Sequence, residues 1–175
     1  MKYRAEISKC GDYRYRLERT WDEGKSKALF IMLNPSVANG DINDMTTIRC
    51  INFARSWGYG GIVIGNLFPY RAKRPRDLKR WLKDTSMFSY SAKRTNKTYV
   101  REMVGEADII VGAWGCNRKG LPEWVRDMCE EVDKDLHYLA LCDDGVTPKH
   151  PLGNLSCDLT PNKYVFHKLN TNTNG

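Results

Sequence analysis

The chain of 175 residues contains no stretch approaching ~20 consecutive apolar residues, so no helical membrane span is expected. Its beginning, Met1-Lys2-Tyr3-Arg4-Ala5-Glu6, lacks the apolar core of a secretion signal, which predicts a cytoplasmic protein. No G-x-x-x-x-G-K-[ST] segment occurs, so a phosphate loop of that type is excluded. The six cysteines, at 10, 50, 116, 129, 142 and 157, never fall into a C-x-x-C spacing. That argues against a zinc ribbon, and the clustering usual for iron–sulfur ligands is missing too. No metal or cofactor is therefore expected, and the cysteines read as small buried or half-buried thiols rather than a disulfide framework. Acidic residues are scarce in one place. Residues 71–101 hold only Asp77 and Asp84 against eleven Lys or Arg. This segment carries +9 of a total of +7, leaving −2 for everything else.

What is present is enough for one well-cored domain, read as residues 1–170 with a frayed Asn/Thr/Gly-rich tail over 171–175. A basic block beside a near-neutral body points to a polyanion. Tyr70, Trp81, Phe88, Tyr90 and Tyr99 are interleaved with the charges, and aromatics stack on bases while cations hold phosphates. The same pattern also fits two solvated helix faces. Nothing fixes the oligomeric state.

Ala28-Leu29-Phe30-Ile31-Met32-Leu33 is an unbroken apolar run, the pattern of a strand buried on both faces. It stops on Asn34-Pro35-Ser36, where proline cannot continue a ladder. Before it, 2–8 and 13–20 read as a hairpin turned at Gly11-Asp12, with period-two alternation through Tyr13-Arg14-Tyr15-Arg16. After it, 36–44 is a turn-rich loop, and Asp44 caps a helix over about 45–57 that ends at Gly58. Further strands are expected over 62–67, 108–115 and 136–141. Helices are expected near 76–83, 90–104 and 122–132, with Pro122 suited to a first turn. Strands alternating with helices imply an α/β fold: three α/β/α layers on a mostly parallel four-stranded sheet, plus the N-terminal hairpin. Parallel strands bring their ends to one rim, delivering Asn34, Asn66, Trp114 and His150 together, and ligands bind at such rims.

The order and spacing of these residues resemble a family of bacterial and phage proteins, domain of unknown function 1643, over about 14–155. The likeness rests on Leu33-Asn34-Pro35-Ser36, Asp44 with Thr47 and Arg49, Trp57-Gly58-Tyr59-Gly60, Asn66-Leu67-Phe68 with Tyr70-Arg71, Ala113-Trp114-Gly115 and His150-Pro151-Leu152. More remotely, an Asn-Pro loop after the first core strand and a His-Pro loop after the last resemble the two signature loops of the uracil-DNA glycosylase superfamily. The first loop lacks the aspartate of the most active branch of that superfamily, and the late loop has Leu152 where serine is common.

That second resemblance implies hydrolysis of an N-glycosidic bond in DNA after the base leaves the helix. Asn34 would orient water, His150 would stabilise the departing base, and Asp44 would be the third catalytic group. Pro35, Ser36, Arg49, Asn66, Phe68, Tyr70 and Trp114 would contact the base or its sugar. Arg71, Lys73, Arg74, Arg76, Lys93, Arg94, Lys97 and Leu152 would hold the nucleic acid. Each residue also has a plainer reading: Asn34 and Asn66 as strand-end caps, Asp44 as a helix cap, His150 as a turn histidine, Trp114 as core, Arg49 as an ion-pair partner. No partner is apparent for His137 or His167. Two other functions remain open: an enzyme or sensor for a free nucleotide or nucleoside, and a non-catalytic nucleic-acid or protein-binding module.

Overall fold

The computed structural model describes residues 1–36, 42–72, 74–118 and 120–164. Lys73, His167, the tail over 171–175 and part of the 36–44 loop lie outside the described residues. The chain folds as a mixed α/β protein built on one sheet. In chain order the elements are β1 (Lys2–Ile7), β2 (Arg14–Thr20), β3 (Lys27–Met32), α1 (Met45–Ser56), β4 (Gly61–Asn66), α2 (Pro75–Leu82) and α3 (Met87–Glu106). They continue with β5 (Ile109–Gly112), α4 (Glu123–Glu131), β6 (Leu136–Tyr138) and β7 (Asn162–Lys163).

The sheet runs β1-β2-β4-β3-β5-β6-β7. It differs from the expected four strands with a separate hairpin. β3 pairs in parallel with β4 and β5, and β5 with β6. The β1–β2 hairpin is part of the same sheet, since β2 pairs antiparallel to β4, and the unanticipated β7 pairs antiparallel to β6. Three of the six pairings are therefore antiparallel. The physical reason is that an edge strand left after the parallel units still needs ladder partners, and the hairpin supplies them on the β4 side.

The apolar run of β3 is continuous because both of its faces are covered. Ala28, Phe30 and Met32 meet Cys50, Ile51, Phe53 and Ala54 of α1. Leu29 and Ile31 meet Val100, Met103 and Val104 of α3 and Val125 and Met128 of α4. Full burial of each Leu, Ile, Val, Phe or Met among these contributes roughly 1.5–3 kcal/mol. The approach of α3 to the sheet needs Gly65, where an added Cβ would lie 2.7 Å from the Met103 methyl. Asp44 caps α1 by accepting the Thr47 amide, and Gly58 with φ +88° follows the helix end. α3 begins at Met87, three residues before the expected start, because Ser86 accepts the Ser89 amide as its cap. Among the described residues no helix is long and apolar enough to cross a membrane.

A third cluster, Leu78, Trp81 and Ala92 with Tyr13, Phe68 and Tyr70, packs α2 against the rim. Tyr70 stacks on Trp81 at 5.4 Å, and Tyr99 stacks on Tyr15 at 5.1 Å. These three aromatics, expected to be interleaved with the charges for base stacking, are instead committed to protein. Phe88, 84% exposed, and Tyr90 remain open.

The cysteine expectation is also corrected. Cys116 and Cys142 form a disulfide with Cα atoms 5.8 Å apart. β5 and β6 are parallel neighbours, so the loops leaving their carboxyl ends meet, and each carries one of these cysteines. Cys50 and Cys129 are buried free thiols, as read from the sequence, while Cys10 and Cys157 are exposed.

Candidate functional site

From β3 the chain crosses to β4 on one side, and from β4 it jumps over β3 to β5 on the other. The carboxyl ends of β3 and β5 are thus the switch point of the sheet, where a crevice opens. Three cavities meet there. An inner chamber of about 140 Å³ is lined by Arg14, Met32, Asn34, Pro35, Ser36, Asp44, Thr46, Thr47, Ile64, Asn66, Ala72 and His150. An outer cavity of about 380 Å³ is bounded by Met32 to Asn34, Trp114 to Asn117 and His150. A groove of about 590 Å³ runs along α2 between Leu33, Asn34, Phe68, Arg74, Lys79 and Arg118. Asn34 borders all three, and His150 borders the inner two.

The Asn34 amide nitrogen donates to the Pro35 carbonyl at 3.1 Å, which leaves its Oδ1 as the acceptor for an occupant. His150 Nδ1 accepts the Leu152 amide at 3.2 Å, so the neutral ring carries its proton on Nε2. Burial pushes the His150 pKa below 6.5, against the opposing pull of Asp44, and the ring is a neutral donor at physiological pH. Gly115, with φ +80°, sits under this histidine, and an added Cβ would fall 3.2 Å from the His150 Cβ.

Asp44 is both cap and chamber wall. Its Oδ1 accepts the Thr47 amide at 2.7 Å and its Oδ2 accepts the Ser36 hydroxyl at 2.6 Å. Burial works to raise its pKa, but the Ser36 and Thr47 hydrogen bonds and the Arg14 charge hold it below the usual carboxylate range. It is therefore a fixed anion near neutrality, which suits electrostatic support and not proton donation.

Asn66, at the end of β4, is 1% exposed, and neither atom of its amide has a protein partner among the described residues. Its backbone carbonyl accepts the Asn96 amide of α3 at 2.8 Å, which pins the strand end. Arg14, 4% exposed, completes the chamber, and its Nε also lacks a partner. Burial lowers the Arg14 pKa to about 10, so the guanidinium stays charged at neutral pH.

The other expected contacts divide. Pro35 and Ser36 line the chamber, Phe68 and Arg74 line the groove, and Trp114 lines the outer cavity. Trp114 folds back over its own strand, its ring 2.8 Å from where a Cβ on Gly112 would sit, and donates to the Gly120 carbonyl at 3.1 Å. Arg49 is turned away: it bonds the Leu155 carbonyl and the Cys157 sulfur and lies over Phe53. Tyr70 lies behind the groove in its stack with Trp81. Arg71 donates to the Gly11 carbonyl at 2.8 Å. Lys93 and Lys97 lie over Trp81 and Trp124, and with Arg94 they line none of the three cavities. Leu152 is half exposed beside the His150 turn. Arg76 stands with Arg74, Asp77 and Arg80 in a separate open pocket, where Arg74 and Arg80 both pair with Asp77. No group of three His, Cys, Asp or Glu among the described residues is placed to hold a metal ion.

Arg14, Thr46, Lys79 and Arg118 escaped the sequence reading. Parallel strands deliver only their carboxyl ends to the rim, whereas the antiparallel β2 brings its beginning to the place where β3 and β4 finish: the Arg14 amide donates to the Pro69 carbonyl at 2.9 Å. The alternating hairpin pattern held the signal, since a charged residue at the mouth of a strand buried by its neighbours needs a reason.

Fold and rim together define a mixed α/β protein with a polar chamber at the switch point of its sheet. The chain belongs to the family described as protein of unknown function (DUF1643), which matches residues 14–152. No curated protein and no solved structure matches it.

Proposed function

We propose that the protein processes a nucleobase at this rim, excising it from DNA by hydrolysis of the N-glycosidic bond, in the manner of the glycosylases its two loops resemble. The observation that carries the reading is that Asn34 and His150, from opposite halves of the chain, border the same chamber with the unpartnered Asn66 amide. A cavity near 150 Å³ holds one six-membered aromatic ring, so the chamber suits a single flipped base of pyrimidine size. Asn34 Oδ1 accepts a hydrogen bond from water and aims its oxygen at the sugar carbon. The new O–C bond forms as the C–N bond breaks, and the electron pair of that bond leaves with the base. The attacking water sheds one proton to solvent, and the base anion takes up a proton from solvent on release, giving a sugar hydroxyl and a neutral base. His150 donates from Nε2 to the oxygen on which negative charge accumulates, an interaction strongest in the transition state. The Asp44 carboxylate favours the positive charge that builds on the sugar. Arg74, Lys79 and Arg118 along the groove meet flanking phosphates.

The test is release of free base and formation of abasic sites from single- and double-stranded DNAs carrying normal, damaged and hypermodified bases. Wild type releases base from at least one of them. His150→Gln and Asn34→Ala slow release by about 10²–10³-fold, the usual loss for one transition-state contact. With six phosphates held, log K against log salt falls with a slope of roughly −5. No release from any substrate, with a flat salt response, refutes the reading. A second reading is favoured by one feature: the groove and the chamber share Asn34 as a wall, so basic residues stand one side chain away from a one-ring chamber, an arrangement that suits a free nucleoside or nucleotide. Tight binding of a mononucleotide without binding of oligomers would select it.

A further inference from the structure

We propose that Arg14 is the counter-ion of the inner chamber, and that the chamber holds a one-ring lactam in anionic form, its ionised oxygen against Arg14 and its amide edge against Asn66. This deepens the base-excision reading and rests on it for the reaction, though the binding claim stands on the chamber alone.

Arg14 is more than nine-tenths buried and its Nε has no partner among the described residues, yet burying a guanidinium with an unpaired N–H is costly. The charged groups it feels are Asp44 from the α1 cap, Arg71 from the loop after β4 and Arg19 from its own strand, so positive charge exceeds negative there. Asp44 does not relieve it by hydrogen bonding, since the bonds its carboxylate accepts come from Thr47 and Ser36. Arg19 is held by the Asn43 side chain and the Glu18 carbonyl. His150 is the remaining titratable group on the wall, and it is neutral.

A guanidinium only donates, so whatever faces it must accept. An Asn amide both donates and accepts, and matches an adjacent N–H or ring nitrogen and carbonyl on one edge of a ring. The two together therefore demand an acceptor beside an amide-like edge, and the charge favours an acceptor that is ionised. The chamber volume admits one ring and not two. A base departing from a sugar is such a species: it leaves with the bonding electron pair and becomes a lactam anion. In the reaction, Arg14 thus binds the leaving group as its charge forms, while His150 contributes a neutral donor.

The probes are barbituric acid, a one-ring imide that is anionic at neutral pH, and uracil, its neutral analogue of similar size. Binding of each is measured by calorimetry to wild type, Arg14→Gln and Arg14→Lys. Wild type binds the anion about tenfold more tightly than the neutral ring, the difference between a charged and a neutral hydrogen bond. Arg14→Gln brings that ratio near one, and Arg14→Lys restores part of it. Equal affinity for both rings in wild type, or no binding of either at millimolar concentration, overturns the proposal without need of any variant. The two ideas separate cleanly. Anion preference without base release from any DNA leaves Arg14 as proposed and removes the glycosylase reading. Base release at an unchanged rate in Arg14→Gln does the reverse.

Discussion

Replacing both Cys116 and Cys142 by serine opens a loop whose ends are 26 residues apart and which contains α4 and β6. In the chain-entropy account, cross-linking over that separation removes about 12 cal/mol/K from the unfolded ensemble, or about 3.5 kcal/mol at 25 °C. For a domain of this size each kcal/mol moves the melting temperature by about 2–4 °C, so the variant melts about 7–14 °C below wild type. Differential scanning calorimetry with and without reductant reads this directly. Reductant lowers the wild-type melting temperature to that of the serine variant and leaves the variant unchanged. The effect reaches the site as well, because Cys116 walls the outer cavity beside Asn34 and His150. Ligand affinity falls in the variant even at temperatures where it is fully folded. A melting shift under about 2 °C refutes the idea that this cross-link holds the β5 and β6 loops in place.

Protonation of His150 is resisted by burial, so the folded pKa lies below 6.5 while the unfolded ring titrates near its ordinary value. The unfolded state binds more protons between those limits, and stability falls as pH drops from about 6.5 through the folded pKa. Imidazole titration by nuclear magnetic resonance should give a His150 midpoint below 6.5 that Asp44→Asn lowers further; a midpoint above 6.5 contradicts the buried neutral ring. For Asp44 the sign is the same at a lower pH, since its folded pKa is likewise depressed, below 3.8: the stability it contributes is present above that value and lost as pH falls through the folded pKa. Asp44→Ala removes the cap of α1 and costs about 1–2 kcal/mol at pH 7, seen as a lower urea midpoint with an unchanged slope, whereas an unaltered midpoint shows that the cap carries no stability.

Much of the scaffold was legible because its cause is local. The run 28–33 had to be a strand covered on both sides, and Asp44 before Thr47 had to be a helix start. The meeting of residues 34 and 150 at one rim followed from strands that share a direction. What was not legible depends on pairings between distant segments. β2 runs against β4, so Arg14 and not Thr20 reaches the rim; the alternation marks Arg14 as a charge on a covered strand but does not say which rim it meets. The Cys116–Cys142 bond has no signature at a spacing of 26, because it is set by the adjacency of β5 and β6. Tyr70 and Trp81 looked available for bases, yet their stacking on each other is decided by how α2 packs down on the hairpin. Arg49 looked like a ligand contact, yet the segment near Leu155 passes close enough to claim it.

Asn34 is a party wall: one small side chain separates three compartments and touches each of them. Molecules lodged on either side of it cannot be indifferent to one another. If a phosphate-bearing tail in the groove tilts that amide, the ring pocket changes its hold on a base, and thermodynamic reciprocity obliges the base to alter the hold on the tail by the same factor.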